Sequence, residues 1–188
     1  MSTKKPKVIE FRRKLEKRTD YKVRLKLLAS GRIRLVFRRF NKMIVGQLVE
    51  YQEEGDKILA HVNSTELKKL GWNYSCSNMP ACYLCGLLLG VKGKKAKVTD
   101  AILDIGMHHS LAGSTIFSFV KGVVDAGIEV PVSDEALPPE ERIRGKHIKD
   151  FAEKKMDIKN QFVGYEKKKA DPKKIPEEFE KIKKKIMS

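Results

Sequence analysis

Between Arg32 and Phe40 the chain reads RIRLVFRRF, with Ile33, Leu35 and Phe37 on one side and Arg32, Arg34 and Arg38 on the other. Alternation at period two predicts a half-buried strand. After a turn at Asn41-Lys42, MIVGQLVEY predicts a second strand. EEGD at 53–56 predicts a hairpin turn, and KILAHVN a third strand. Connections this short imply an antiparallel meander. From Ser64 the period changes. Residues 65–70 predict a short helix stopped by Gly71, and Asn78 caps a longer one that tolerates Pro80 in its first turn. In that helix Ala81, Leu84, Cys85 and Leu88 recur at helical spacing and predict one buried face. KVTDAILDI at 97–105 is apolar on both faces, as a central strand is. Ser114 caps a further helix carrying Phe117, Val120 and Val124, closed by Gly127, and IEVPV predicts a last short strand.

The two ends are patterned differently. Residues 1–18 are rich in Lys and Arg, contain Pro6, hold few apolar groups and predict an unstructured arm. Thr19 or Asp20 caps a short helix running through Leu28 and ended by Ser30-Gly31. Val23 and Leu27 share one face of it while Lys22, Arg24 and Lys26 point elsewhere, so it is expected to be half core and half cation. Pro138-Pro139 marks departure from the body. Beyond it come a charged helix near 139–152, a polar connection and a final helix over 176–187. The stripe of Ile175, Phe179, Ile182 and Ile186 on that helix needs the body or a partner to pack on. The expected class is α/β, a mixed sheet with an antiparallel three-strand meander followed by helix, strand and helix. The expected organisation is a basic arm over 1–18, a body over 19–136 and a basic helical extension over 137–188.

Charge changes the picture. The first 42 residues carry 16 Lys and Arg against Glu10, Glu16 and Asp20, a local charge of +13. Residues 43–136 sit near −3 and the tail from Leu137 at +6, within a whole-chain charge of +16. An apolar, nearly neutral body with a dense cationic arm suits a polyanion held at one end. Nucleic acid, an anionic membrane or an acidic protein could each supply it. For a membrane surface, Phe11 and Leu15 in a sea of charge are a thin anchor. No apolar run approaches the roughly 20 residues that cross a bilayer, and the first residues lack the apolar segment of a secretory signal. Three cysteines, an odd number, point to free thiols in a reducing, cytosolic compartment.

Several residue sets invite chemical readings. Cys82 and Cys85 have the spacing of redox and zinc sites, but only Cys76 remains as a further thiol, and Cys85 falls on the apolar stripe. Small core residues are the better reading. His108-His109 lies in a loop with no carboxylate cluster spaced to help it chelate. Asp100 and Asp104 alternate onto one strand face, as the paired carboxylates of metal nucleases do, without a third acid in a matching motif. No phosphate-binding loop, nucleophile elbow or dinucleotide fingerprint is present. The row of Arg32, Arg34 and Arg38 is the stronger signal, because a guanidinium fork gives phosphate two parallel hydrogen bonds. Tyr21, Phe40 and Asn41 could add stacking and base-edge contacts, which looped RNA offers more readily than duplex DNA. A row of this kind is expected at the surface, so replacing Arg34 and Arg38 would weaken binding and spare the fold.

Three segments resemble one family throughout: TDYKVRLKLLASGRIRLVFRRFNK at 19–42, GWNYSCSNMPACYLCGLLLG at 71–90, and LDIGMHHSLAGSTIFSFVKGVVDAGIEVP at 103–131. It is the universal L-eighteen family, the large-subunit ribosomal protein that binds 5S ribosomal RNA. The NMPACYLCGLL segment and the long C-terminal extension are similar to its archaeal form. The resemblance implies a ribonuclease-H-like mixed sheet without nuclease activity, cofactor or metal. It also implies a place in the central protuberance, tying 5S RNA to the large-subunit RNA and to neighbouring proteins. By position in the motifs it assigns RNA binding to Arg12, Arg13, Arg18, Tyr21 and Arg24 in the arm and first helix. In the first strand and its turn it assigns Arg32, Arg34, Arg38, Asn41 and Lys42. In the later loop it assigns His108, Ser110, Ser114 and Thr115. The terminal helix inherits no role.

Overall fold

The computed structural model describes residues 9–154, 159–166 and 170–187. At its centre is a sheet of order β3-β2-β1-β4, built from β1 (Arg34–Arg39), β2 (Ile44–Glu50), β3 (Lys57–Asn63) and β4 (Ile102–Asp104). The first three strands pair antiparallel, as their tight turns require. β4 follows a long helix and lies parallel to β1, with Leu35 opposite Leu103 and Val36 opposite Asp104. The sheet is therefore mixed. β4 is shorter than the 97–105 expected, and IEVPV forms no named strand. A single bridge between Asp100 and Glu129 continues the pairing, and Pro131, with no N–H to donate, cannot extend it.

One face of the sheet carries Leu35, Phe37, Ile44, Leu48, Ala60 and Val62, all buried. On it lie α3 (Met79–Lys95) and α4 (Thr115–Asp125). Asn78 caps α3 by accepting the Ala81 N–H at 3.0 Å, with Pro80 in the first turn. Every residue of α3 from Met79 to Leu87 is buried, rather than one face only. The reason is position: the sheet covers one side, while α4 and α8 (Ile175–Met187) cover others. The expected stripe of Ile175, Phe179, Ile182 and Ile186 is buried on the body, with the Phe179 ring 5.4 Å from Tyr83. Between α8 and α4 in sequence, the single charged helix expected near 139–152 is two, α5 (Glu140–Ile143) and α6 (Lys146–Lys154), broken at Gly145. They are followed by α7 (Lys159–Glu166).

α3 and α4 touch backbone to backbone. A Cβ at Gly86 would sit 2.0 Å from the Phe119 carbonyl oxygen, and one at Gly122 would sit 2.2 Å from that of Tyr83. Neither obstacle is a flexible side-chain tip, so both helices would have to shift. Gly86→Ala is expected to destabilise the fold by about 1–3 kcal/mol, read as a lowered urea midpoint. An unchanged midpoint would show that the two helices are not in backbone contact.

At the N-terminal end, residues 1–8 of the expected arm lie outside the described residues. Residues 12–15 are not unstructured but form one helical turn, α1 (Arg12–Leu15). Asp20 caps α2 (Tyr21–Ala29), its carboxylate accepting the Lys22 and Val23 N–H groups. None of α2 is buried, which corrects the half-core expectation. The helix meets the second face of the sheet, its Val23 and Leu27 lining a hollow with Arg38 and Asp104, and its Arg24 pairing with Asp56.

Candidate nucleic-acid interface

On that second face the side chains of Arg34, Val36 and Arg38 alternate along β1. Because Val36 is the register partner of Asp104, the Asp104 carboxylate falls between the two arginines. Arg34 Nη1 donates to Asp104 Oδ2 at 3.2 Å and Arg38 Nη2 to Oδ1 at 2.8 Å. Arg38 Nη1 also donates to the carbonyls of Phe37 and Asp104, both at 2.8 Å. Asp56, from the turn before β3, accepts from Arg24 of α2 at 2.9 Å and lies 2.7 Å from the other end of the Arg34 fork. The result is a ribbon of alternating charge, Arg24–Asp56–Arg34–Asp104–Arg38, that ties α2 to the sheet. Burial by itself would raise the Asp56 carboxyl, but the Arg24 and Arg34 guanidiniums beside it hold it below its ordinary value. That part of the ribbon's stability is present above the ordinary carboxylate range and is lost as pH falls through the depressed value.

Gly106 completes the corner. Its N–H donates to Asp104 Oδ1 at 3.0 Å. Its φ of +64° and the Arg38 guanidinium, 2.9 Å from where a Cβ would lie, together leave room only for glycine.

The residues singled out in the sequence divide accordingly. Arg13, Arg18, Arg24 and Arg38 line one hollow of about 90 Å³ with Asp104 and Gly106 at its floor. Arg13 donates to the Thr19 hydroxyl at 2.9 Å, and the exposed Arg18 pairs with Glu16 at 3.1 Å. Arg12, also exposed, pairs with Glu16 on its own turn. Tyr21 lines an adjoining cleft with Phe11 and Met107. His108, Ser114 and Thr115 line a third hollow at the N-terminus of α4, with His109 and Arg39. Ser114 stands at the capping position, but its hydroxyl is buried without a hydrogen-bond partner among the described residues. Ser110, Asn41 and Lys42 are exposed and line none of these three hollows. Arg32 is exposed at the far edge of β1, in a cleft with Lys94 and Lys97.

Arg34 is the exception to the expected surface row. It is 3% exposed, closed in by two carboxylates, so its replacement cannot spare the fold. Arg39 was missed. Its parity in the alternation assigns it to the core face, yet it stands at the strand end, exposed, and reaches the Thr115 hydroxyl at 3.4 Å. The only signal was the Arg38-Arg39 doublet.

The catalytic readings meet the same geometry. The Asp104 carboxylate is committed to two guanidiniums and a backbone N–H, and Asp100 lies 3.9 Å from Arg32. Among the described residues no three His, Cys, Asp or Glu side chains gather as a metal would require. Cys82 and Cys85 are fully buried in the core cluster. Burial pushes the Cys82 thiol up to about 12 and raises that of Cys85 as well, the opposite of an activated thiolate. Among the described residues no helix is long and apolar enough to cross a membrane.

Residues 7–99 match the family model described as ribosomal large subunit proteins 60S L5 and 50S L18. The chain is 49% identical over 177 residues to a large ribosomal subunit protein uL18 from Korarchaeum cryptofilum, covering 93% of this chain and 91% of that one. It is 42% identical over 184 residues to the uL18 of Methanococcus maripaludis, covering 96% and 95%.

Proposed function

The chain belongs to the L18 family of large-subunit ribosomal proteins, and from that premise we propose that it binds 5S ribosomal RNA and holds it against the large-subunit RNA. It is a structural protein of the large ribosomal subunit and not an enzyme. The proposed place is the central protuberance, beside neighbouring large-subunit proteins. The observation that carries the reading is the convergence of Arg13, Arg18, Arg24 and Arg38 on one hollow at the root of the cationic arm. Guanidiniums fixed on one side, Arg18, Arg24 and Arg38 by carboxylates and Arg13 by the Thr19 hydroxyl, present their remaining N–H groups in set directions, which suits an irregular phosphate backbone.

In this reading the contacting residues are Arg12, Arg13, Arg18, Tyr21, Arg24, Arg38, Asn41 and Lys42, with His108, Ser114 and Thr115 at the hollow by the N-terminus of α4, Ser110 exposed in the loop before it and Arg32 beyond the start of β1. Arg34 contributes by holding Asp56 and Asp104, which place Arg24 and Arg38. A ribonuclease-H-like topology belongs to the same proposal and is supported by the antiparallel meander joined to a parallel fourth strand.

A salt-titrated binding assay comparing 5S RNA with an unrelated structured RNA and duplex DNA tests the proposal. Preference for 5S RNA is expected to survive at about 0.15 M salt, where nonspecific phosphate contacts are weakened. Equal binding to all three, lost together as salt rises, would leave a nonspecific cationic arm.

A further inference from the structure

The cleft beside the arginine hollow has the opposite chemistry. Its volume is about 480 Å³, and its floor is apolar, made of Phe11, Tyr21 and Met107. Phe11 and Tyr21 pair with ring centroids 5.1 Å apart and planes tilted by 42°. Phe11 is nevertheless 70% exposed and Met107 53% exposed, so the aromatic pair is not closed over by the described residues. Lys14, Lys17 and Lys22 rim the cleft. Lys14 pairs with Glu10, while the Asp20 carboxylate is turned into the cap of α2. The cleft shares Thr19 and Asp20 as a wall with the arginine hollow.

We infer that this cleft receives an unpaired nucleobase of the bound RNA, stacked on Phe11 and Tyr21, with its phosphate directed to the arginine hollow next door. An aromatic floor ringed by cations and adjoining a phosphate seat has the two chemistries of a single-stranded nucleotide side by side. The polarisable Met107 thioether suits a π-face for the same reason that it suits an aromatic ring. An apolar side chain from a neighbouring protein would match the floor, but it would have no use for the lysine rim or the adjoining guanidiniums. The inference rests on the RNA-binding reading above.

The test measures 5S RNA affinity against salt for the full chain and for Phe11→Ala and Phe11→Trp, with a fully paired RNA duplex as second ligand. Phe11→Ala is expected to weaken 5S binding on the order of tenfold. The slope of log affinity on log salt should stay unchanged, since no phosphate contact is removed. Phe11→Trp should bind like the parent, and duplex binding should be insensitive to both changes. Unchanged 5S affinity for Phe11→Ala overturns the inference, including when incorporation into subunits falls, which would assign the cleft to a protein neighbour. An equal loss on duplex, or a shallower slope, also overturns it by showing that the change acts through displacement of the arm. A parent chain without preference for 5S RNA would instead overturn the RNA reading itself, a result separable from failure of the cleft alone.

Discussion

Asp104→Ala is expected to destabilise the protein by about 3–5 kcal/mol, as breaking a buried ion pair from one side does. In the ribbon Asp104 pairs with both Arg34 and Arg38. Without it, Arg34 keeps only Asp56 in a site almost sealed from water, and a second guanidinium stands 2.8 Å from a carbonyl with no counter-charge beside it. The Gly106 N–H loses its acceptor in the same stroke. Urea denaturation checks the size, and the double variant with Arg34→Met gives the coupling. Removing both charges should recover much of the loss, because the cost lies in the stranded cation and not in the pair's own worth. A loss below about 1 kcal/mol would place the pair among solvent-screened surface bridges.

Phe179→Ala is expected to cost a similar 3–5 kcal/mol, the range for removing a buried phenyl ring. Its ring is 1% exposed, in the tilted pair with Tyr83, whose hydroxyl donates to Asp125 of α4 at 2.7 Å. A cavity there loosens the joint where α8, α3 and α4 meet. Differential scanning calorimetry or chemical denaturation reads the effect. A change near zero would mean that α8 is a detachable appendage and that the body stands without it.

These two sites show what the sequence made legible and what it did not. The period-two run at 32–40 and the period change at Ser64 predicted the meander and its sequel because both depend on local pattern. Cap residues did the same for the helices: Asp20 and Asn78 sit where a short polar side chain must end the preceding segment. The stripe on the last helix was legible too, but not its partner, which lies in α3. The all-round burial of α3 was hidden because Gly86 and Gly90 look like helix weakeners until a second helix is laid against them. The arginine row misled for a related reason. Alternation tells which residues share a face, not whether that face is wet, and the answer depended on Asp56 from the turn before β3 and Asp104 from β4. In sequence Phe11 stood out only as a thin membrane anchor, and Met107 not at all. Only the fold brings a one-turn helix against the loop after β4.

The packing of α8 also imposes an order in time. About 80 residues separate the end of α3 at Lys95 from the start of α8 at Ile175. At ordinary elongation rates that interval lasts roughly 4–16 seconds. Throughout it the surface of α3 that receives Phe179 and Ile182 is already synthesised and still uncovered. A chaperone, or early capture of the cationic N-terminal region by RNA, has its window of action there, before the last helix seals the core.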